Sequence, residues 1–136
     1  MRMQTMAAGV AIVVVVAAVT TGLVMIGSPS DQRARRLDGR RLASLQVLRS
    51  AVDDYWRAHG RLPESIGELA REPRLVSETK DPVTGREYRY RAMAGASYQL
   101  CADFDRPSAS ELDVPFWAHA AGPHCFNLEA RTLTLP

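Results

Sequence analysis

An uncharged apolar run near the start of the chain constrains its fold more than any other feature. The sequence from Met6 to Ile26 is MAAGVAIVVVVAAVTTGLVMI and contains no charged side chain. At about 1.5 Å per residue, a helix of this length reaches roughly 30 Å, which is the thickness of the hydrocarbon core of a bilayer. A cleaved secretory signal has a shorter apolar region and a small-x-small cleavage site, of which Ala17–Thr21 is only a loose version. We expect residues 1–27 to form a single membrane-spanning anchor.

The remaining residues, 28–136, are enough for one compact domain with one small core. The net charge of the chain is only +2, which does not point to a nucleic-acid partner. Its two cysteines, Cys101 and Cys125, form no CxxC pair, so thioredoxin-type redox chemistry has no motif here.

A long amphipathic helix is predicted directly after the anchor. Ser28 suits an N-cap and Pro29 the first helical position, whereas Gly60 suits a C-cap. Arg41 interrupts the apolar stripe of this helix. The stripe consists of Ala34, Leu37, Leu45, Leu48, Val52 and Tyr55. We expect this face, and Leu48 and Val52 in particular, to pack on another layer of structure.

The second half of the chain changes from a helical period to a period of two. A short helix is predicted at about Glu64–Arg71, followed by a turn at 81–85. Tyr88–Arg91 and Tyr98–Phe104 then alternate as an antiparallel hairpin does, and Cys125–Leu128 predicts a further strand. A weak run at Leu133–Leu135 is expected to extend the sheet. The predicted class is α+β, with the amphipathic helix packed on a small antiparallel sheet.

Three stretches of this soluble part resemble type IV pilin-like proteins, and in particular the pseudopilins of type II secretion. They are YWRAHGRLPESIGEL at 55–69, DPVTGREYRY at 81–90, and the strand Tyr98–Phe104. The prepilin-peptidase site of that family, a small residue followed by a phenylalanine-led apolar run with a glutamate at its fifth position, is not found in 1–26. The resemblance therefore implies a pilin-like fold in a lone membrane-anchored protein.

The two cysteines allow three interpretations. Strand alternation places Cys101 and Cys125 on the outer face of one sheet, and a disulfide forms if their strands are neighbours in an oxidising compartment. The alternatives are two free thiols in the cytoplasm, or a Cys2His2 metal set with His119 and His124 whose spacing matches no zinc signature.

The side of the membrane is contested by the charges that flank the anchor. Five arginines follow the apolar run, whereas only Arg2 and the amino terminus precede it, so the positive-inside rule favours a cytoplasmic domain. The disulfide and the family resemblance favour the opposite side. We expect a single-pass inner-membrane protein with a periplasmic domain. Arg33, Arg36 and Arg40 share one helix face, which is either a solvated surface or a collar that contacts anionic lipid head groups.

Acidic residues after the second strand are the first candidate for a metal site. Asp103, Asp105, Glu111 and Asp113 supply the oxygen ligands that calcium prefers, and the resemblance to major pseudopilins also suggests a calcium-binding acidic loop. Their spacing is not that of an EF-hand, and the alternative is a solvated acidic loop.

No catalytic motif is present, so we expect a protein that is not an enzyme. Phe116 and Trp117 are candidate partner-binding residues, and their alternative role is to cap the core. Two functions remain: a membrane-anchored structural or interaction protein related to a secretion or pilus-type assembly, or a periplasmic module that binds a metal or ligand through the acidic loop or the His/Cys set.

Overall fold

The computed structural model describes residues 2–26, 28–108 and 115–131. The chain divides into two compact units, Met1–Arg33 and Ala34–Pro136. The first unit contains helix α1, Arg2–Ile26. The six valines between Val10 and Val19, together with Ile12, are 55–67% exposed on this helix. Over the residues that are described, no helix is long and apolar enough to cross a membrane. The anchor at residues 1–27 stays a prediction.

Helix α2, Pro29–His59, begins and ends as its caps predict. At its start the backbone N–H of Asp31 donates to the Ser28 hydroxyl at 3.2 Å. At its end Gly60 has a φ of +67°, which favours glycine, and its N–H donates to the Trp56 carbonyl at 2.8 Å.

The buried stripe of α2 carries part of the apolar set that the period predicted, and it also carries two charges, whereas Ala34, Leu37 and Tyr55 are only partly buried. Leu45, Leu48 and Val52 are fully buried, which confirms the predicted face. Asp38 and Arg41 lie on the same face and are buried as well.

Helix α3 is shorter than predicted, because it covers only Ile66–Leu69 and not Glu64–Arg71. Ser65 before it has an extended backbone, and the chain continues into a 3₁₀ turn at Pro73–Leu75. Ile66 and Leu69 are buried, so the two apolar side chains of this helix point inward as predicted.

The sheet is a three-stranded antiparallel meander in the order β1-β2-β3. Strand β1 is Arg89–Ala92, β2 is Ser97–Phe104 and β3 is Gly122–Glu129. The predicted hairpin is confirmed, with Tyr90 opposite Leu100 and with Gly95 at φ +67° in its turn. The run predicted at Leu133–Leu135 lies outside the described residues.

One face of the sheet belongs to the core and the other does not. Strand β2 contributes Tyr98, Leu100, Ala102 and Phe104 to the core, and β3 contributes Phe126 and Leu128. These side chains form one cluster with the buried stripe of α2, so helix and sheet cover each other's apolar face. The predicted α+β class with a helix on a small antiparallel sheet is confirmed for the second unit.

Candidate functional site

The two predicted partner-binding residues take different positions on the 3₁₀ turn Pro115–Trp117. Trp117 is only 6% exposed, and its ring lies 4.8 Å from that of Phe126, so it caps the core. Phe116 is 47% exposed, and its ring stands at 88° to that of Trp117. Phe116 is therefore the residue of the pair that a partner can reach.

An arginine of α2 lies against both rings. The guanidinium carbon of Arg49 is 5.3 Å from the centre of the Phe116 ring and 6.0 Å from that of Trp117. At these distances the cation interacts favourably with the faces of the rings. We call Arg49, Phe116 and Trp117 the aromatic corner.

Two clefts flank the aromatic corner, and Arg49 and Arg131 line both of them. The first, of about 350 Å³, is also lined by Phe116, Met93, Ser97, Asn127, Leu128 and Glu129. The second, of about 480 Å³, is also lined by Trp117, Gln46, Ser50, Asp53, Asp54 and Arg57. Exposed aromatic, methionine and arginine side chains are enriched in protein–protein interfaces.

Strand β3 forms an edge of the described sheet beside the first cleft. Cys101 and Cys125 face each other with their Cα atoms 4.0 Å apart, which is the separation of a pair without backbone hydrogen bonds. By alternation, the backbone groups of Cys125, Asn127 and Glu129 point away from β2. The backbone of Pro123, two residues before Cys125, also points away from β2, but proline has no N–H donor.

A buried ion cluster around Arg41 joins three segments of the second unit. Its Nε donates to Asp81 at 2.6 Å, and its Nη1 donates to Asp38 and to Asp105, each at 2.8 Å. Asp38 also accepts the backbone N–H groups of Asp105 and Arg106, each at 2.9 Å. The cluster holds α2, the 81–85 turn and the end of β2 together.

The contacts within the cluster favour the ionised forms of Arg41 and Asp81. Burial lowers the pKa of Arg41, but hydrogen bonds to Asp81, Asp105 and Asp38 outweigh it and raise that pKa above its usual range. Burial raises the pKa of Asp81, but the N–H of Thr84, the guanidinium of Arg41 and the N–H of Val83 together lower it below 3.8. The guanidinium therefore works as a structural cross-link between carboxylates.

The structure places two of the four acidic residues of the predicted calcium site, Asp103 and Asp105, next to arginines. Oδ1 of Asp103 lies 3.5 Å from Nη2 of Arg89, and the carboxylate of Asp105 forms a salt bridge with Arg41. Glu111 and Asp113 lie outside the described residues. Among the residues that the structure describes, no group of three or more histidine, cysteine, aspartate or glutamate side chains is placed to hold a metal ion.

The cysteines form the disulfide Cys101–Cys125 across β2 and β3, as one of the three interpretations predicted. The bond uses both thiols, so the free-thiol and Cys2His2 interpretations are wrong. His119 instead stacks on Phe104 with ring centres 3.6 Å apart, and its ring centre is 6.3 Å from that of His124.

Sequence reasoning missed Arg41 and Arg49 as residues of interest. Arg41 precedes Leu45, Leu48 and Val52 at helical spacing, so its position alone places it on the buried face. A buried arginine requires acidic partners, so this position alone could have predicted an ion cluster around Arg41. Nothing in the local sequence singles out Arg49, because its aromatic partners lie more than sixty residues away.

Comparisons with known proteins give no match: no family model, no curated protein and no solved structure matches this chain.

Proposed function

We propose that this chain is a membrane-anchored, pilin-like interaction protein that binds a protein partner through the aromatic corner and the adjoining edge of β3. The family resemblance suggests a secretion or pilus-type assembly as its setting. The observation that carries the proposal is the exposed Phe116 beside the edge of β3 that no other described strand covers.

Anchoring is supported by the surface of α1. Its described apolar side chains, from Val10 to Val19, are exposed along the helix. A continuous apolar surface of this kind is unfavourable in water and is satisfied by lipid tails.

A periplasmic position is supported by the disulfide, because disulfides persist in oxidising compartments and are rare in the cytosol. The pilin-like assignment is supported by the order of elements, with one long helix packed on an antiparallel meander.

The partner surface is argued from its backbone as well as its side chains. The outward backbone groups of Cys125, Asn127 and Glu129 can pair with an added strand of a partner, which is a common way for proteins to bind extended peptides. Phe116 supplies an aromatic anchor next to that edge, and Arg49 and Arg131 supply cations to the same cleft. An extended segment with an apolar and an acidic side chain fits this combination.

Site-specific photo-crosslinking in cells tests the partner surface. A photoreactive amino acid in place of Phe116 should give an adduct of defined mass, and Arg131→Gln should weaken it. The same amino acid at Val83, which is 58% exposed on the 81–85 turn, is the matched control and should give no such adduct. Equal adducts from both positions, or none from Phe116, would contradict the proposal.

A reporter that is active only in the periplasm, fused after Pro136, tests the location separately. We expect it to be active. Activity from a cytoplasmic reporter alone would overturn the proposed location and leave the partner surface to be judged by crosslinking.

A further inference from the structure

The two sulfurs of the disulfide differ in how far solvent reaches them. Cys101 lies on the central strand β2 and is only 8% exposed, whereas Cys125 lies on β3 and is exposed. The difference follows from the strand order, because β2 has a neighbour on each side, whereas no other described strand lies beyond β3. We call that uncovered side of β3 the open side. A thiol in solution therefore reaches the sulfur of Cys125 more easily than that of Cys101.

The direction of attack favours the same sulfur. In thiol–disulfide exchange a thiolate attacks one sulfur in line with the S–S bond, and the other sulfur leaves. The register sets Arg89, Cys101 and Cys125 in one row across the outer face of the sheet. Attack on Cys125 comes from the open side of β3, whereas attack on Cys101 comes from the side of β1, where Arg89 is the neighbouring residue.

The outer face around Cys125 offers a thiolate neither cover nor strong repulsion. The neighbours of Cys125 on this face of β3 are Pro123 and Asn127, which are exposed and uncharged. Of the acidic residues on the face, Asp103 lies opposite Pro123 and within 3.5 Å of an arginine of β1, and Glu129 is four residues from Cys125. The sulfur of Cys125 is therefore open to attack in the folded domain.

Strand β3 stays attached when the bond opens. The residues of β3 whose backbone groups point toward β2 are His124, Phe126 and Leu128, which alternate with Cys125. Phe126 and Leu128 also belong to the core. Reduction leaves the ladder and the core contacts in place and removes only the covalent link. We therefore expect a domain that remains folded, with a β3 that opens more often from β2.

We propose that Cys101–Cys125 is a thiol-exchange site, at which a dithiol protein reduces the folded domain through Cys125 and thereby loosens β3. The first thiolate of the dithiol bonds to Sγ of Cys125, the S–S bond breaks, and Cys101 leaves as a thiolate that takes up a proton. The second thiol of the reductant then attacks its own bonded sulfur and releases Cys125 as a thiol. The domain gains two electrons and two protons, and the dithiol becomes a disulfide.

The exchange bears on the function proposed above, because β3 carries the edge assigned to the partner. Loosening β3 disorders that edge, so reduction would weaken the partner surface. The exchange and the loosening are properties of this chain alone, and they are measured below without a partner.

Trapping with a thioredoxin whose second active-site cysteine is replaced by serine identifies the attacked sulfur. The full chain is kept folded in neutral detergent, and free thiols are alkylated after the reaction. Mass spectrometry of non-reduced peptides should find the trap on Cys125 and the alkyl group on Cys101. A trap bonded mainly to Cys101, or bonded only when the chain is unfolded in urea, would overturn the proposal.

The rate of reduction by dithiothreitol separates attack on the folded domain from attack after unfolding. We expect the rate to rise in proportion to the dithiothreitol concentration and to change little in urea below the unfolding transition. A rate that levels off with dithiothreitol, or that rises with urea as steeply as the unfolding equilibrium, would show that only the unfolded chain reacts. That result would also overturn the proposal.

A charge placed beside Cys125 tests the path of the thiolate. Asn127→Asp should slow reduction by dithiothreitol about two- to fivefold at low salt, and high salt should restore the rate. Val47→Asp is the matched control, because it adds the same charge at an exposed position of α2 and should leave the rate unchanged. Equal slowing in the two variants would contradict attack at the outer face of β3.

Hydrogen exchange of the reduced and alkylated chain tests the loosening of β3. The backbone N–H groups of Phe126 and Leu128 should exchange at least about tenfold faster than those of Leu48 and Val52 in α2, because β3 then opens without the rest of the domain. A single common rate for the four groups would mean that β3 opens only when the whole domain unfolds, and would overturn the loosening.

Discussion

Replacing Arg41 by methionine tests the buried ion cluster most directly. The side chain of Arg41 is 6% exposed, and those of Asp38 and Asp81 are 9% and 11% exposed, whereas that of Asp105 is 50% exposed. Removing the guanidinium leaves the buried carboxylate of Asp38 and the mostly buried carboxylate of Asp81 without their cation. Removing one partner of a buried ion pair typically costs about 3–5 kcal/mol.

That loss is a large part of the stability of a domain of this size. Domains are typically stable by about 5–15 kcal/mol, and each kcal/mol lowers the melting temperature of a domain of about a hundred residues by roughly 4–8 °C. We therefore expect Arg41→Met to lower the melting temperature by more than about 10 °C. Urea unfolding of the full chain in neutral detergent, followed by tryptophan fluorescence, gives the free energy of unfolding.

The neighbouring Arg40 is the matched control, because it is exposed on the same helix and lies outside the cluster. Arg40→Met should change the free energy of unfolding by no more than about 0.5 kcal/mol. Adding Asp81→Asn to Arg41→Met should recover part of the loss, since it removes one of the stranded charges. If the two single variants unfold alike, the cluster does not stabilise the fold and our account of it is wrong.

Three further predictions concern the disulfide, the core and the response to acid. Cys101 and Cys125 are 24 residues apart, so reducing their disulfide should lower the free energy of unfolding by roughly 3 kcal/mol and the melting temperature by several degrees. An unchanged melting temperature would show that the disulfide does not stabilise the domain. In urea titrations, Leu48→Ala should lower the free energy of unfolding by about 2–5 kcal/mol, whereas Val47→Ala, at an exposed position, should lower it little. Similar losses in the two variants would mean that the buried face of α2 is misassigned. Because the folded-state pKa of Asp81 lies below its ordinary 3.8, the unfolded chain binds more protons at low pH. The stability that Asp81 contributes is thus present above that value and is lost as the pH falls through the folded-state pKa. Asp81→Asn should unfold with a shallower dependence on pH in this range, and an unchanged dependence would contradict the assigned cause.

Elements that depend on local periodicity were predictable from the sequence. The stripe of Leu45, Leu48 and Val52 fixes the buried face of α2, and the alternation from Tyr98 to Phe104 fixes that of β2. The same alternation predicted that Cys101 and Cys125 point outward, but only the adjacency of β2 and β3 in the structure selects the disulfide from the three interpretations. The extent of α3 was not predictable, because the backbone at Ser65 is already extended where the apolar spacing still permits a helix.

Features that depend on distant partners were not predictable from local patterns. Asp81 and Asp105 reach Arg41 from 40 and 64 residues further along the chain. Seen alone, Asp103 and Asp105 form an acidic stretch that suits calcium. In the fold, Arg89 and Arg41 already lie beside them. The sequence pattern contains the charges but not their pairing.

The arginines of α2 show how packing assigns different roles to one residue type. Arg41 and Arg49 are eight residues apart, about 12 Å along the helix. Arg41 is enclosed by carboxylates and therefore acts on stability, whereas Arg49 lies on the rings of Phe116 and Trp117 and therefore shapes a surface. Replacing the arginine should therefore have different effects at the two places: loss of stability at Arg41 and loss of partner binding at Arg49.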